Sequence, residues 1–312
     1  MAGGTVIRST RGAYLALAVL TLVWGSNWIV MKFALQNAHP ALLNMQRTWI
    51  AVVLLFAVLL WRGEPLWPGS WLAVIVTGTF QTTINFTATT MALAGGGAGR
   101  TSVLVFTMPF WTLLLAAVFL HERVKGTQWF AIAFAVLGMV LIVEPWNWHG
   151  DLQPKLWAVL SGFGWGAGAV CTKYFQRHHK LEMLNFLAWQ MLVGVLPLSL
   201  IPLLFEFPPS QWSVTHALLM FYVGGVSTAF GFLLWIAVLR YLPAGTASLN
   251  TFAIPVIALV LSMLIFGERL TFNEWTGIAC IGAGLAIVSW NAWRVSRQGE
   301  ATPTPPTPLE GG

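Results

Sequence analysis

A stripe of polar residues, Thr77, Gln81 and Asn85, falls at i, i+4 and i+8 in an apolar run that includes Val74, Ile75, Phe80 and Ile84. On an α-helix that spacing puts all three on one face. Amides and a hydroxyl hold solutes by hydrogen bonds and by themselves break no covalent bond. In hydrocarbon such groups are costly unless paired. The stripe therefore reads either as the wall of a polar cavity or as bonding between neighbouring helices, worth roughly 0.6–2 kcal/mol per contact. The deep tryptophans suggest a second chemistry, ring stacking. Trp24, Trp111, Trp165 and Trp235 fall inside apolar runs, where an indole N–H needs a partner. Each is open to two readings, stacking on an aromatic solute or plain packing. Asn250, near the start of a later run, is a further candidate donor. Trp24, Gln81, Asn85, Trp165, Trp235 and Asn250 make up the candidate solute-binding set.

Residues for covalent chemistry are not arranged for it. An intramembrane enzyme needs a nucleophile and base, or metal ligands, facing each other inside the bilayer. All ten carboxylates and all six histidines lie at run ends, in loops or in the tail. Cys171 and Cys280 are far apart and belong to no CxxC or Cys/His cluster. The sequence predicts no enzyme, no metal and no cofactor. A channel is the other rival class, but the chain carries no repeated ring of charge to select ions.

The elements that hold the candidate residues must sit in a membrane. Of the residues 57% are apolar and 8% charged, about a third of the charged fraction of soluble chains. Turn residues and charges cut the sequence into apolar runs over about 13–35, 41–61, 70–93, 101–120, 127–144, 155–175, 183–205, 213–239, 246–266 and 274–293. Each approaches the roughly 20 residues that cross a hydrocarbon layer. The fold class expected is an all-α membrane protein of ten transmembrane helices. The first run is too long for a typical signal-peptide core and reads as an uncleaved span. Trp61, Trp67, Trp71, Trp146, Trp148, Trp157, Trp212, Trp290 and Trp293 flank spans, where amphipathic rings anchor at the headgroups.

The two halves repeat. At an offset of 141, Trp24-Gly25 and Lys32-Phe33 fall on Trp165-Gly166 and Lys173-Tyr174. At an offset of 146, Ala98-Gly99, Pro109, Glu122-Arg123, Trp129 and Gly138 fall on Ala244-Gly245, Pro255, Glu268-Arg269, Trp275 and Gly284. Five spans carry the chain to the opposite face, so the second repeat must be inserted upside down. The organisation expected is a cytoplasmic segment 1–12, a five-helix repeat 13–145, a linker 146–154, an inverted five-helix repeat 155–293 and a disordered tail 294–312. Pro109 and Pro255, in repeat-matched spans, should bend their helices and serve as a hinge pair, a static kink being the plainer reading. Gln81 and Asn85 match Ser227 and Gly231, so the two walls of a central site would differ, as an asymmetric solute requires.

Lys and Arg set the orientation. Eleven of them (Arg8, Arg11, Arg62, Arg123, Lys125, Lys173, Arg177, Lys180, Arg240, Arg294, Arg297) fall on the face carrying both termini, and four (Lys32, Arg100, Lys155, Arg269) on the other. The positive-inside rule places both termini in the cytoplasm. Arg47 falls within the second run and has no place in the count. The formal charge of +6 is scattered singly at run ends and forms no basic face for nucleic acid. The partners expected are the lipid bilayer and a small-molecule substrate, with no obligatory protein partner. Lys32 and Lys173 end their helices on opposite faces, where snorkelling to headgroups competes with attracting a carboxylate. The run Gly162, Gly164, Gly166, Gly168 permits close helix approach. With no acidic residue mid-span, net movement of a solute would follow its own gradient, with Glu144 and His39 as the peripheral groups open to coupling.

The WGSNW stretch at Trp24 to Trp28, Pro109 followed by His121-Glu122-Arg123, and Pro255 followed by Gly267-Glu268-Arg269 resemble the EamA-type drug/metabolite transporter superfamily over about 13–293. The resemblance implies a ten-helix basket around a central cavity in the bacterial inner membrane. Within that superfamily the chain looks like the aromatic amino acid exporters, which implies export of aromatic and other neutral amino acids by alternating access. Related members move other metabolites or drugs on the same scaffold.

Overall fold

The computed structural model describes residues 10–124, 126–147, 152–239, 241–242 and 253–300, and these hold helices and no strands. Polar caps start the helices where the sequence changes from loop to apolar run. His39 precedes Pro40 and accepts a hydrogen bond from the Ala41 N–H at 3.3 Å, opening Pro40–Trp61. Ser70 and Ser213 do the same for Trp71–Thr77 and Val214–Met220. Left-handed residues follow the ends of several helices, among them His121 at φ 53° and Gly267 at φ 65°. They are 146 positions apart, and each is followed by a glutamate whose N–H reaches back six residues, Glu122 to Ala116 and Glu268 to Ser262.

Among the described residues six helices are long and apolar enough to cross a bilayer: Arg11–Ala34, Pro40–Trp61, Ala98–Phe119, Met183–Leu204, Val214–Val238 and Phe272–Asn291. Thr127–Val143 and Ala253–Phe266 are shorter apolar helices. The helical stretches 71–95 and 152–178 are less apolar because they carry the Thr/Gln/Asn stripe and the glycine run. The last helix, Phe272–Glu300, runs beyond residue 293 into the segment that composition assigns to the tail. Leu15, Val53, Leu203 and Leu264 are more than half exposed on the outside. Such a surface suits lipid and not water.

Two stretches wind as π-helix, Gly78–Ile84 and Phe221–Phe230. Shifting the first by 146 gives 224–230, inside the second. Each interrupts a longer helical rod between α-helical pieces, Trp71–Thr77 and Asn85–Gly95 in one, Val214–Met220 and Gly231–Leu239 in the other. The wider π turn rotates the following face, which bears directly on the polar stripe.

Packing surrounds a centre rather than filling it. Thr127–Val143 lies along Phe272–Glu300, and Pro40–Trp61 along Met183–Leu204. Asn85–Gly95 and Met108–Phe119 both lie on Leu152–His178, while the first helix, Thr10–Ala34, lies on Ala253–Phe266. The glycine run works as packing: a Cβ at Gly168 would stand 2.6 Å from the Gln81 Cβ, and one at Gly164 3.1 Å from the Phe80 carbonyl. The wall bearing Gln81 therefore sits directly on Leu152–His178.

Candidate functional site

The helices enclose a cavity of about 840 Å³, within the range of small-molecule sites. Its lining at one end includes Met31, Arg47, Thr89 and Phe106, all buried. At the other it reaches Lys173, Gln176 and Met183, and the Lys173 side chain there is 52% exposed. The cavity opens at that end. Among the described residues no Asp or Glu lines it.

Five of the six expected solute-binding residues line this space: Trp24, Gln81, Asn85, Trp165 and Trp235. Asn250 lies outside the described residues. The aromatic members gather around Phe232. Trp165 stacks on it at 5.8 Å with planes 25° apart, and Trp24 meets it edge-on at 5.8 Å and packs against Trp235 at 6.0 Å with the rings tilted by 43°. The Trp24 indole N–H donates to the Ser227 carbonyl at 3.0 Å, which satisfies the one polar atom of that ring. Its ring lies where Gly231 has no side chain; a Cβ there would come within 2.5 Å of the indole nitrogen.

Gln81 and Asn85 answer the question the stripe posed in different ways. Asn85 both lines the cavity and ties helices together, donating to the Ser161 carbonyl and hydroxyl at 2.9 Å each. Gln81 makes a single long contact, accepting from Gln190 at 3.3 Å, and keeps its amide towards the cavity. Thr77 is fully buried, away from the lining, with no partner for its hydroxyl. The π stretch that begins at Gly78 rotates the face between Thr77 and Gln81, which a strict α-helical spacing does not register. Trp111 is likewise off the lining, packed edge-on against Phe163 at 5.6 Å.

Pro109 lines the cavity in the first turn of Met108–Phe119, just after the ladder breaks at Phe106 and Thr107. The cause is local: proline has no N–H and its ring crowds the carbonyl four residues back, that of Val105. Pro255 lies in the first turn of Ala253–Phe266, and residues 243–252 lie outside those described.

Sequence reasoning passed over several lining residues. Arg47 is 6% exposed. Its Nη1 donates to the Met31 sulfur and its Nη2 to the Thr228 hydroxyl, both at 3.3 Å, and its guanidinium lies 4.2 Å over the Phe86 ring. A lone guanidinium within an apolar run is itself a functional signal. Asn27, inside the WGSNW stretch, and Gln190, one of two amides in the apolar helix Met183–Leu204, also line the space.

Polar networks differ at the two ends. At the closed end the Glu268 carboxylate accepts from the Gly99 and Arg100 backbone N–H groups at 3.0 and 3.1 Å, at the start of Ala98–Val105. It also pairs with the Arg100 side chain at 3.1 Å and accepts a hydrogen bond from the Ser262 hydroxyl. Arg100 continues to Glu274 at 2.8 Å. Lys32 neither snorkels nor faces the mouth: it donates to the Leu93 and Gly96 carbonyls at 2.6 and 2.7 Å, capping the end of Asn85–Gly95. At the open end Glu122, 146 positions before Glu268, pairs with Lys173 at 2.7 Å and with Arg177. The Lys173 hydrogen bond holds the Glu122 carboxyl below the usual carboxylate range. The two peripheral groups considered for coupling have other roles. His39 caps its helix and stacks on Phe207 at 4.1 Å. Glu144 accepts from Asn273 at 2.9 Å, with Lys155 4.0 Å away.

Membrane-length apolar helices around a solute-sized cavity open at one end define a multi-pass membrane transporter. The chain belongs to the EamA-like transporter family, whose model matches residues 11–144 and again 154–290. It is 26% identical over 290 residues to an uncharacterized transporter, YoaV, of Bacillus subtilis, spanning 91% of this chain and 98% of that one. It is 27% identical over 293 residues to a probable amino-acid metabolite efflux pump of Salmonella typhimurium, spanning 89% and 95%. A pump of the same name from Escherichia coli is 26% identical over the same shares. A solved crystal structure that is 20% identical superposes with a TM-score of 0.63 over 93% of this chain and 99% of that chain, so the fold is shared.

Proposed function

We propose that this transporter exports aromatic and other neutral amino acids from the bacterial cytoplasm by alternating access, down their own gradient. The observation that carries the reading is the cavity: an aromatic cluster on Phe232 beside the Gln81 amide, open at the Lys173 end and closed at the Glu268 end. The positive-inside count makes the Lys173 end cytoplasmic, so the structure has the form that loads solute for export. The two efflux-pump relatives carry the words amino-acid metabolite in their names, which favours this solute class over a drug.

The architecture belongs to the same proposal: ten spans as two inverted five-helix repeats, 13–145 and 155–293, with both termini in the cytoplasm. Support comes from the family model matching each half, from the paired π stretches, and from the matched left-handed turns at His121 and Gly267. Inverted repeats exchange conformations when one face closes and the other opens. Glu122 and Glu268 are engaged differently at the two ends, as that exchange requires. A channel would need both ends open at once.

Substitution at the cavity wall tests the assignment. In cells, Trp165→Ala should lower phenylalanine efflux roughly 2- to 10-fold, the loss of one ring pair, and Gln81→Leu should lower it as well, both at normal levels of folded protein. Wild-type rates in both variants would move the site elsewhere.

A further inference from the structure

Arg47 is a buried cation facing the cavity without an anion. The acidic residues in described ion pairs sit at helix ends with other partners: Glu64 with Arg62, Glu122 with Lys173 and Arg177, Glu144 with Lys155, Glu268 and Glu274 with Arg100. Arg47 has a thioether, one hydroxyl and a ring face instead, and its Nε has no hydrogen-bond partner at all. A guanidinium offers five donors in a planar fork that matches a carboxylate. Counting from Pro40 at 1.5 Å per residue, it stands about 10 Å inside its helix. A charge at that depth is expensive to keep unless it has a use.

The complementary group lies beside it. Asn27 lines the same end of the cavity and donates its amide N–H to the Met31 sulfur at 3.2 Å, the atom that Arg47 meets at 3.3 Å. The two side chains therefore flank a single sulfur. The Asn27 carbonyl oxygen is buried and has no partner. One wall thus presents a positive charge without an anion, with one unanswered donor at Nε, and next to it an unanswered acceptor. Trp24 lies on the same helix, three residues before Asn27 and one turn towards the open end.

We infer that Arg47 and Asn27 form the headgroup subsite for a zwitterionic α-amino acid: the carboxylate binds the Arg47 fork, the ammonium donates to the Asn27 carbonyl oxygen, and the side chain points towards Trp24 and Phe232. This rests on the amino acid reading above and adds an orientation to it. The charge at this end of the cavity then matches the solute: one cation and one neutral acceptor meet one anion and one cation, while Lys173, the other cation on the lining, is paired with Glu122 at the open end. The subsite also explains why a cavity with no carboxylate can hold an ammonium group, since the neutral acceptor suffices once the carboxylate is neutralised.

The test is binding to purified protein in lipid nanodiscs, with three probes of one ring: L-phenylalanine, phenylalaninamide, which lacks the carboxylate, and 3-phenylpropionate, which lacks the ammonium. Wild type should bind phenylalanine roughly 10- to 100-fold more tightly than the amide, the range for one charge-assisted pair. Arg47→Gln should erase that preference by weakening phenylalanine and leaving the amide unchanged. Asn27→Leu should erase the preference over phenylpropionate. If Arg47→Gln does not fold, Arg47→Lys keeps the charge without the fork and should lose several-fold on phenylalanine alone. Equal wild-type affinity for phenylalanine and its amide, or a full preference surviving in Arg47→Gln or Arg47→Lys, overturns the subsite while leaving amino acid export standing. Wild-type binding of phenylpropionate but not phenylalanine overturns the zwitterion and the amino acid reading together. Binding of none of the three overturns both as well.

Discussion

Asn85 and Gln81 stand four positions apart on one wall and have unequal structural roles. Asn85 gives both amide protons to Ser161 in the neighbouring helix, while Gln81 has one long contact. Interhelical bonds of this kind contribute about 0.6 kcal/mol each and at most about 1.7. Asn85→Leu should therefore lower the melting temperature of the purified protein measurably, by about 1–2 kcal/mol of stability, whereas Gln81→Leu should lower efflux with little change in melting. Equal melting shifts in the two would mean that Gln81 is also structural. The polar stripe made both residues legible in the sequence, because amides in an apolar run must face something. Whether that something was a cavity or a helix was not legible, since it depends on what the opposite wall presents. Arg47 shows the same limit more sharply: its depth marked it, but only the fold brings Met31, Thr228 and Asn27 around it.

Two features of the rods, π winding and proline breaks, give the helices places to bend. Gly78–Ile84 and Phe221–Phe230 are wound wider than an α-helix, and the Phe106–Thr107 break precedes Pro109. Helix positions were readable from the alternation of apolar runs with Pro, Gly and charge, since these punctuate any helix. Winding was not: π turns depend on packing against neighbours, and for that reason Thr77 left the stripe. The hinge proposal makes a kinetic prediction. Pro109→Ala and Pro255→Ala together should slow turnover more than they weaken substrate binding, and equal losses would point to damage of the site. The closed end makes another. Glu268 holds the start of Ala98–Val105 through two backbone N–H groups and Arg100. Glu268→Gln removes the charge from that contact and should favour opening there. With Cys171 and Cys280 replaced by Ser, a cysteine at Thr89, 8% exposed in this structure, should then react several-fold faster with an impermeant maleimide added outside cells. An unchanged rate would remove Glu268 from the closure.

At the scale of the molecule, the proposed orientation turns the Lys173 end of the cavity to the cytoplasm, on the charge bias between the two faces. A cysteine at Trp146, 57% exposed in the stretch between Thr127–Val143 and Leu152–His178, should label from outside intact cells, and one at Lys180 only after permeabilisation. The reverse pattern would turn the exporter into an importer of the same form. Transport itself decides whether the cavity carries amino acids and what drives them. The most direct measurement is uptake of radiolabelled L-phenylalanine into proteoliposomes of the purified protein, with and without an imposed pH gradient. Saturable uptake that reaches the same final level under both conditions, and is absent from protein-free vesicles, is the expected result. No uptake above protein-free vesicles, or accumulation beyond equilibrium that collapses when an uncoupler is added, would contradict gradient-driven amino acid export.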